Sequence, residues 1–152
     1  MTPWIDAGLA YLHFTAIILV FAFLSVEVVL MRGTLEAASI RLLGRVDIWY
    51  FASAIAALVT GMLRLTLGAK GADYYLSYWP IYVKLGLFLA VAVISVQPTL
   101  TFVRWQRALD HDPAWQVGEE ERLRLRRYLM MEVHMAALIP LFAVIMARGL
   151  GR

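Results

Sequence analysis

Four apolar stretches, each long enough to cross a bilayer, alternate with short polar segments along the chain. The first runs from about Ala7 to Leu30 and stops at Arg32 and Gly33, a basic residue followed by a breaker. The second covers about 48–66, opening after Arg45 and Asp47, with Trp49 and Tyr50 expected at headgroup level. The third starts at Pro80, behind an aromatic group of Tyr74, Tyr75, Tyr78 and Trp79, and continues to about Val103. The fourth is Tyr128 to Ala147, closed by Arg148 and Gly149. At about 1.5 Å per residue, roughly 20 residues span a hydrocarbon layer about 30 Å thick, so each stretch predicts one transmembrane helix. Pro98 inside the third predicts a kink or a carbonyl freed for another partner, and Pro140 falls near the middle of the fourth.

Composition supports the membrane setting. Of 152 residues, 62% are hydrophobic and 16% charged, too apolar a makeup for an ordinary soluble domain. Four spans and their connections use almost the whole length, so residues 1–152 read as one all-α domain, a four-helix transmembrane bundle. There is no cysteine, which excludes a disulfide, a thiolate metal site, an iron–sulfur cluster and covalent c-type haem. The first stretch lacks a basic flank and a small-residue cleavage pattern, so it is expected to stay as a helix and not to be removed as a signal peptide.

The net charge of +3 is modest, and the arginines sit in particular connections, which reads as a topology signal and not as a nucleic-acid surface. Arg32, Arg41 and Arg45 flank the first connection, and 104–127 carries six arginines beside five acids. The positive-inside rule places both connections in the cytoplasm and both termini outside, with Lys70, Arg148 and Arg152 weighing against it. The expected location is the cytoplasmic (inner) membrane of a bacterium. The long polar connection has a turn at Asp112-Pro113 and is expected to be helical again from Glu119.

Ionisable groups within the spans carry the functional signal, because an unpaired charge in hydrocarbon costs at least a few kcal/mol. They are His13, Glu27, Lys84, Glu132 and His134, with Arg64 at a helix end. His13 and Glu27 are fourteen residues apart, about four turns, and so face one way; Lys84, Val91, Ser95 and Pro98 share a stripe on the third helix. On the second helix Ala54, Ala57 and Gly61 make a small-residue side that another helix can approach closely. His13, Arg64 and Lys84 are expected at the same outer end, while Glu27 and Glu132 are expected near the inner surface, within reach of Arg41, Arg45 or Arg127.

An imidazole beside two cations suits b-type haem: histidine ligates the iron and Arg64 and Lys84 pair with the propionates. The competing reading has both cations snorkelling to headgroups and His13 bonding a neighbouring helix. His134 is a candidate second axial ligand, but it lies about 10 Å from the depth of His13 for ideal upright helices, and it points about 200° away from Glu132 around its own helix. His111, between Asp110 and Asp112, and the methionines Met130, Met131 and Met135 are read as a solvated loop cluster and as ordinary packing.

The stretches Tyr11-Leu12-His13-Phe14, Arg45-Val46-Asp47, Gly61-Met62-Leu63-Arg64, Tyr82-Val83-Lys84-Leu85 and Glu132-Val133-His134 with Pro140 resemble an uncharacterised bacterial family of small four-helix membrane proteins. More distantly, a first-helix histidine, a third-helix lysine before a leucine-rich run and a fourth-helix glutamate after arginines are similar to HemJ-type protoporphyrinogen oxidases. That resemblance implies His13 as haem ligand or catalytic group, Lys84 as a polar partner and Glu132 as an inward-facing carboxylate. The pattern departs at Met131 and His134, where that family carries asparagine and proline.

Three functions are therefore in play. The first is a b-haem protein, a haem-dependent oxidoreductase with a redox or tetrapyrrole partner. The second is a scaffold or homo-oligomeric subunit without cofactor. The third is an ion or proton pathway through His13 and Glu27.

Overall fold

A computed structural model describes residues 3–68 and 71–150; Lys70 and Arg152, which bear on the charge balance, lie outside them. The described residues form helices only: α1 (Pro3–Leu30), α2 (Ala37–Leu67), the short α3 (Ala72–Leu76), α4 (Pro80–His111) and α5 (Glu119–Arg148). All four long helices are long and apolar enough to cross a membrane. Each turns a broad apolar face outward, with Ile18, Val29, Ile55, Leu89, Val93, Leu100 and Val144 exposed. In water such faces would be a large unfavourable surface; in lipid they are the solvated side.

Three helices run well beyond their apolar stretches. α2 starts at Ala37, α4 continues to His111 and α5 starts at Glu119, so the first connection shrinks to 31–36 and the long one to 112–118. Helix does not stop where hydrophobicity does, because the flanking segments are made of good helix formers such as Leu, Arg and Glu. As a result Tyr50 lies about 20 Å inside α2 and is buried in the bundle, while Trp49 faces out. Pro98 is buried within α4, where the hydroxyls of Ser95 and Thr101 donate to carbonyls three and four residues back.

The helices run antiparallel as two hairpins, α1 with α2 and α4 with α5, joined where α2 meets α4 and α5 meets α1. Packing is uneven along the bundle axis. Leu24, Val28, Met31, Ile40, Leu43, Phe102, Trp105, Leu109, Leu125 and Leu129 form one continuous core at the end carrying the α1–α2 and α4–α5 connections. Polar clasps reinforce that end. The Arg122 guanidinium donates to the Met31 carbonyl at 2.9 Å, Arg41 pairs with Asp110 at 3.0 Å, and Arg104 pairs with Glu121.

A bare Cα at Gly44 lets the Gln106 side chain lie against α2, where a Cβ would stand 1.8 Å from its Nε2. At the opposite end the hairpins part, and the Tyr78 hydroxyl, donating to the Leu150 carbonyl, ties the start of α4 to the segment after α5.

Candidate functional site

Where the hairpins part they enclose a cleft of about 440 Å³, within the range of small-molecule sites. Its walls are aliphatic and aromatic: Phe14, Ile17 and Phe21 from α1, Phe51 and Leu58 from α2, Phe88 from α4, Ile139 from α5. His13, Arg64 and Lys84 all line it, with Asp6 and Tyr75 at the rim and Tyr50 and Ser95 at the inner end. The three residues expected to meet therefore do meet. Both cations act electrostatically on the imidazole, and the Arg64 guanidinium also lies 5.6 Å from the centre of the Phe14 ring.

The imidazole is held by α2. His13 Nδ1 is 3.1 Å from Thr60 Oγ1, and the Thr60 hydroxyl already donates its one proton to the Ala56 carbonyl at 2.6 Å. With that proton committed to Ala56, Thr60 Oγ1 accepts from Nδ1 in the tautomer that leaves Nε2 its lone pair, and the Ala57 carbonyl is a further acceptor for the imidazole. Gly61 makes room for the ring: a Cβ there would stand 3.1 Å from His13 Cε1. The small-residue side of α2 thus receives α1 through its histidine, with Ala54 and Gly61 also lining the cleft.

His134 is not part of this site. It is exposed on α5, its Nδ1 lies 2.6 Å from the Met130 carbonyl one turn back, and it does not line the cleft. Glu132, two residues earlier, points inward and is buried, as the 200° separation requires. The proposed bis-histidine pair is thus not brought together, and His13 is the one histidine lining the cleft among the described residues.

Beyond the inner end of the cleft lies a second group of polar side chains. Glu27 of α1 and Glu132 of α5 are each 1% exposed, and Asp47 of α2 is buried with them. Glu27 is within electrostatic reach of both other carboxyls. The Tyr50 hydroxyl donates to Glu132 Oε1 at 2.5 Å, and the Thr99 hydroxyl donates to Asp47 Oδ1 at 2.9 Å. Glu27 Oε1 and Glu132 Oε2 are enclosed without a hydrogen-bond partner among the described residues.

The arginines expected to pair with Glu27 and Glu132 do not. Arg41 is bound to Asp110, Arg45 and Arg127 are exposed, and neither glutamate belongs to any ion pair among the described residues. The physical reason is the length of α2 and α5, which carries those arginines past the bundle interior to its polar end.

Asp47 and Tyr50 were not singled out from the sequence because they were placed at a helix start. Their spacing held the signal: Asp47, Tyr50, Ala54, Ala57 and Gly61 repeat at alternating steps of three and four, one continuous side of α2.

Comparison with known proteins yields one match. The family described as "Predicted membrane protein (DUF2214)" covers residues 5–151. No curated protein matches the chain, and no solved structure does.

Proposed function

The chain belongs to the DUF2214 family of predicted membrane proteins, and we propose that it holds a b-type haem, or a closely related anionic tetrapyrrole, in the cleft between its two helical hairpins. One observation carries this reading: a single imidazole, with its tautomer set by Thr60, lines an apolar cleft together with two cations.

The residues fit such a group. His13 offers a lone-pair Nε2, as an axial ligand must, and Thr60 plays the orienting part that a carbonyl or carboxylate plays for many metal-bound histidines. Arg64 and Lys84 are placed to pair with propionates, and the aromatic walls suit a flat macrocycle. Bound there, haem would supply one-electron chemistry. The residues of the chain hold and orient it. The resemblance to HemJ-type oxidases points the same way and suggests a redox or tetrapyrrole-related role.

The rival reading is a scaffold or subunit without cofactor, drawing on the exposed apolar faces of the helices. Lipid alone accounts for those faces. The small-residue side of α2, which would have been its natural docking surface, is turned toward α1 and the cleft.

An absorption spectrum of protein purified from haem-replete cells separates the two. A Soret band is expected, abolished or shifted in His13→Ala and unchanged in His134→Ala. Colourless protein that also fails to bind added haemin would remove the haem reading.

A further inference from the structure

The buried carboxyls beneath the cleft are not needed to hold a ligand in it, and we infer that Glu27, Asp47 and Glu132 form a membrane-embedded proton-binding site, reached from the cleft through Tyr50.

Three carboxyl groups from three helices share a lipid-enclosed interior. α1 contributes Glu27, α2 contributes Asp47 and Tyr50, α5 contributes Glu132, and α4 contributes only the neutral hydroxyls of Ser95 and Thr99. No lysine or arginine is paired with any of them among the described residues. Three uncompensated negative charges in such a place would repel one another and have no water to solvate them.

The orphaned oxygens, Glu27 Oε1 and Glu132 Oε2, mark where the compensation is missing. A buried carboxyl oxygen without a protein donor is protonated, bridged by water or facing a bound cation, and with no lysine or arginine paired to these acids among the described residues protonation is what removes the charge. Among the described residues the acids do not converge into a set that could ligate a metal ion, which favours protons distributed over separate carboxyls.

The route of exchange follows from what lies on either side. Toward the arginine-bearing end, one turn beyond each acid, stand Met31, Leu43 and Leu129, with Phe102 and Trp105 from α4, all at or below 1% exposure. That layer is closed to water. Toward the other end, Tyr50 and Ser95 line the cleft, with the Ser95 hydroxyl beside that of Tyr50. Tyr50 therefore touches the cleft and bonds Glu132 at the same time. In one exchange event the Tyr50 O–H proton passes to a water in the cleft. The phenolic oxygen takes the proton of Glu132, leaving a carboxylate within electrostatic reach of Glu27. The sum is one proton delivered to water and one negative charge left on the cluster, and the reverse sequence reloads it.

Infrared spectroscopy of the purified protein in nanodiscs tests this, and it needs no chromophore, so a failure of the haem reading leaves it standing. At neutral pH a protonated-carboxyl carbonyl stretch is expected, shifting on transfer to D₂O and losing intensity in both Glu27→Gln and Glu132→Gln, which keep shape and remove charge. Tyr50→Phe is expected to keep the band but slow its deuterium shift. Absence of the band from the unaltered protein at neutral pH would overturn the proposal. So would a band that sodium abolishes and potassium does not, since the site would then hold a cation. A band unchanged in both glutamine variants would place the protons elsewhere and equally overturn it. An unaltered deuterium shift in Tyr50→Phe would overturn the route.

Discussion

At the level of single residues, the arrangement around His13 depends on one hydroxyl. Thr60 donates to Ala56 and accepts from His13, so a proton count of one on each group decides which ring nitrogen is free. Replacing Thr60 by valine keeps the branched shape and removes the acceptor. The imidazole then keeps only its backbone partner, the Ala57 carbonyl, and the ring can turn or change tautomer. Loss of such an orienting partner commonly costs 10–100-fold in ligand affinity, so haemin titration of Thr60→Val should show a dissociation constant raised by about one to two orders of magnitude. An unchanged constant would mean that the hydrogen bond does not orient the ligand. Gly61 matters for a different reason: a Cβ there would crowd the imidazole edge at 3.1 Å, so a side chain at 61 requires His13 to shift by a few tenths of an ångström.

At the level of the helices, the two ends of the bundle should respond differently to the loss of side-chain volume. Leu129 of α5 is fully enclosed within the packed end, whereas Phe88 of α4 borders a cleft that is already open. Removing an enclosed leucine leaves a cavity that its neighbours only partly close, at a cost of about 2–5 kcal/mol. Leu129→Ala is therefore expected to lower the thermal midpoint in detergent clearly, and Phe88→Ala much less. Equal losses would mean that the cleft closes in solution.

The same contrast explains what could be read from the chain beforehand. Apolar runs of bilayer length disclosed the four spans, and helical periodicity placed His13 and Glu27 on one buried side, because lipid and period 3.6 leave a direct imprint on residue order. The meeting of His13, Arg64 and Lys84 was legible from depth alone. The start of α5 at Glu119 was legible too, but the ends of α2 and α4 were not, since polar residues continue a helix into water without any break in spacing. That error hid Asp47 and Tyr50 from the interior and placed Arg41 and Arg45 too near Glu27. Thr60 was invisible as a partner because its role comes from a contact between helices.

For the whole molecule the unequal ends give the bundle a direction. The packed end carries nine basic residues, Arg32, Arg41, Arg45, Arg104, Arg107, Arg122, Arg124, Arg126 and Arg127, against three among the described residues toward the other end, Arg64, Lys84 and Arg148. Two of those three, Arg64 and Lys84, line the cleft. Lysine and arginine near span ends are retained in the cytoplasm, while acidic residues contribute little to orientation. The packed end should then face the cytoplasm and the cleft should open toward the outer leaflet. Because the chain has no cysteine, a single introduced thiol reports one position without background. In right-side-out spheroplasts of a bacterial host, Asp73→Cys should react with a membrane-impermeant maleimide directly. Thr34→Cys and Gln116→Cys, exposed in the two connections of the packed end, should react only after permeabilisation. The reverse labelling would turn the cleft to the cytoplasm. Any ligand of His13 would then enter from the inner leaflet, and protons held by Glu27, Asp47 and Glu132 would exchange with that side, so this one experiment sets the direction in which both sites work.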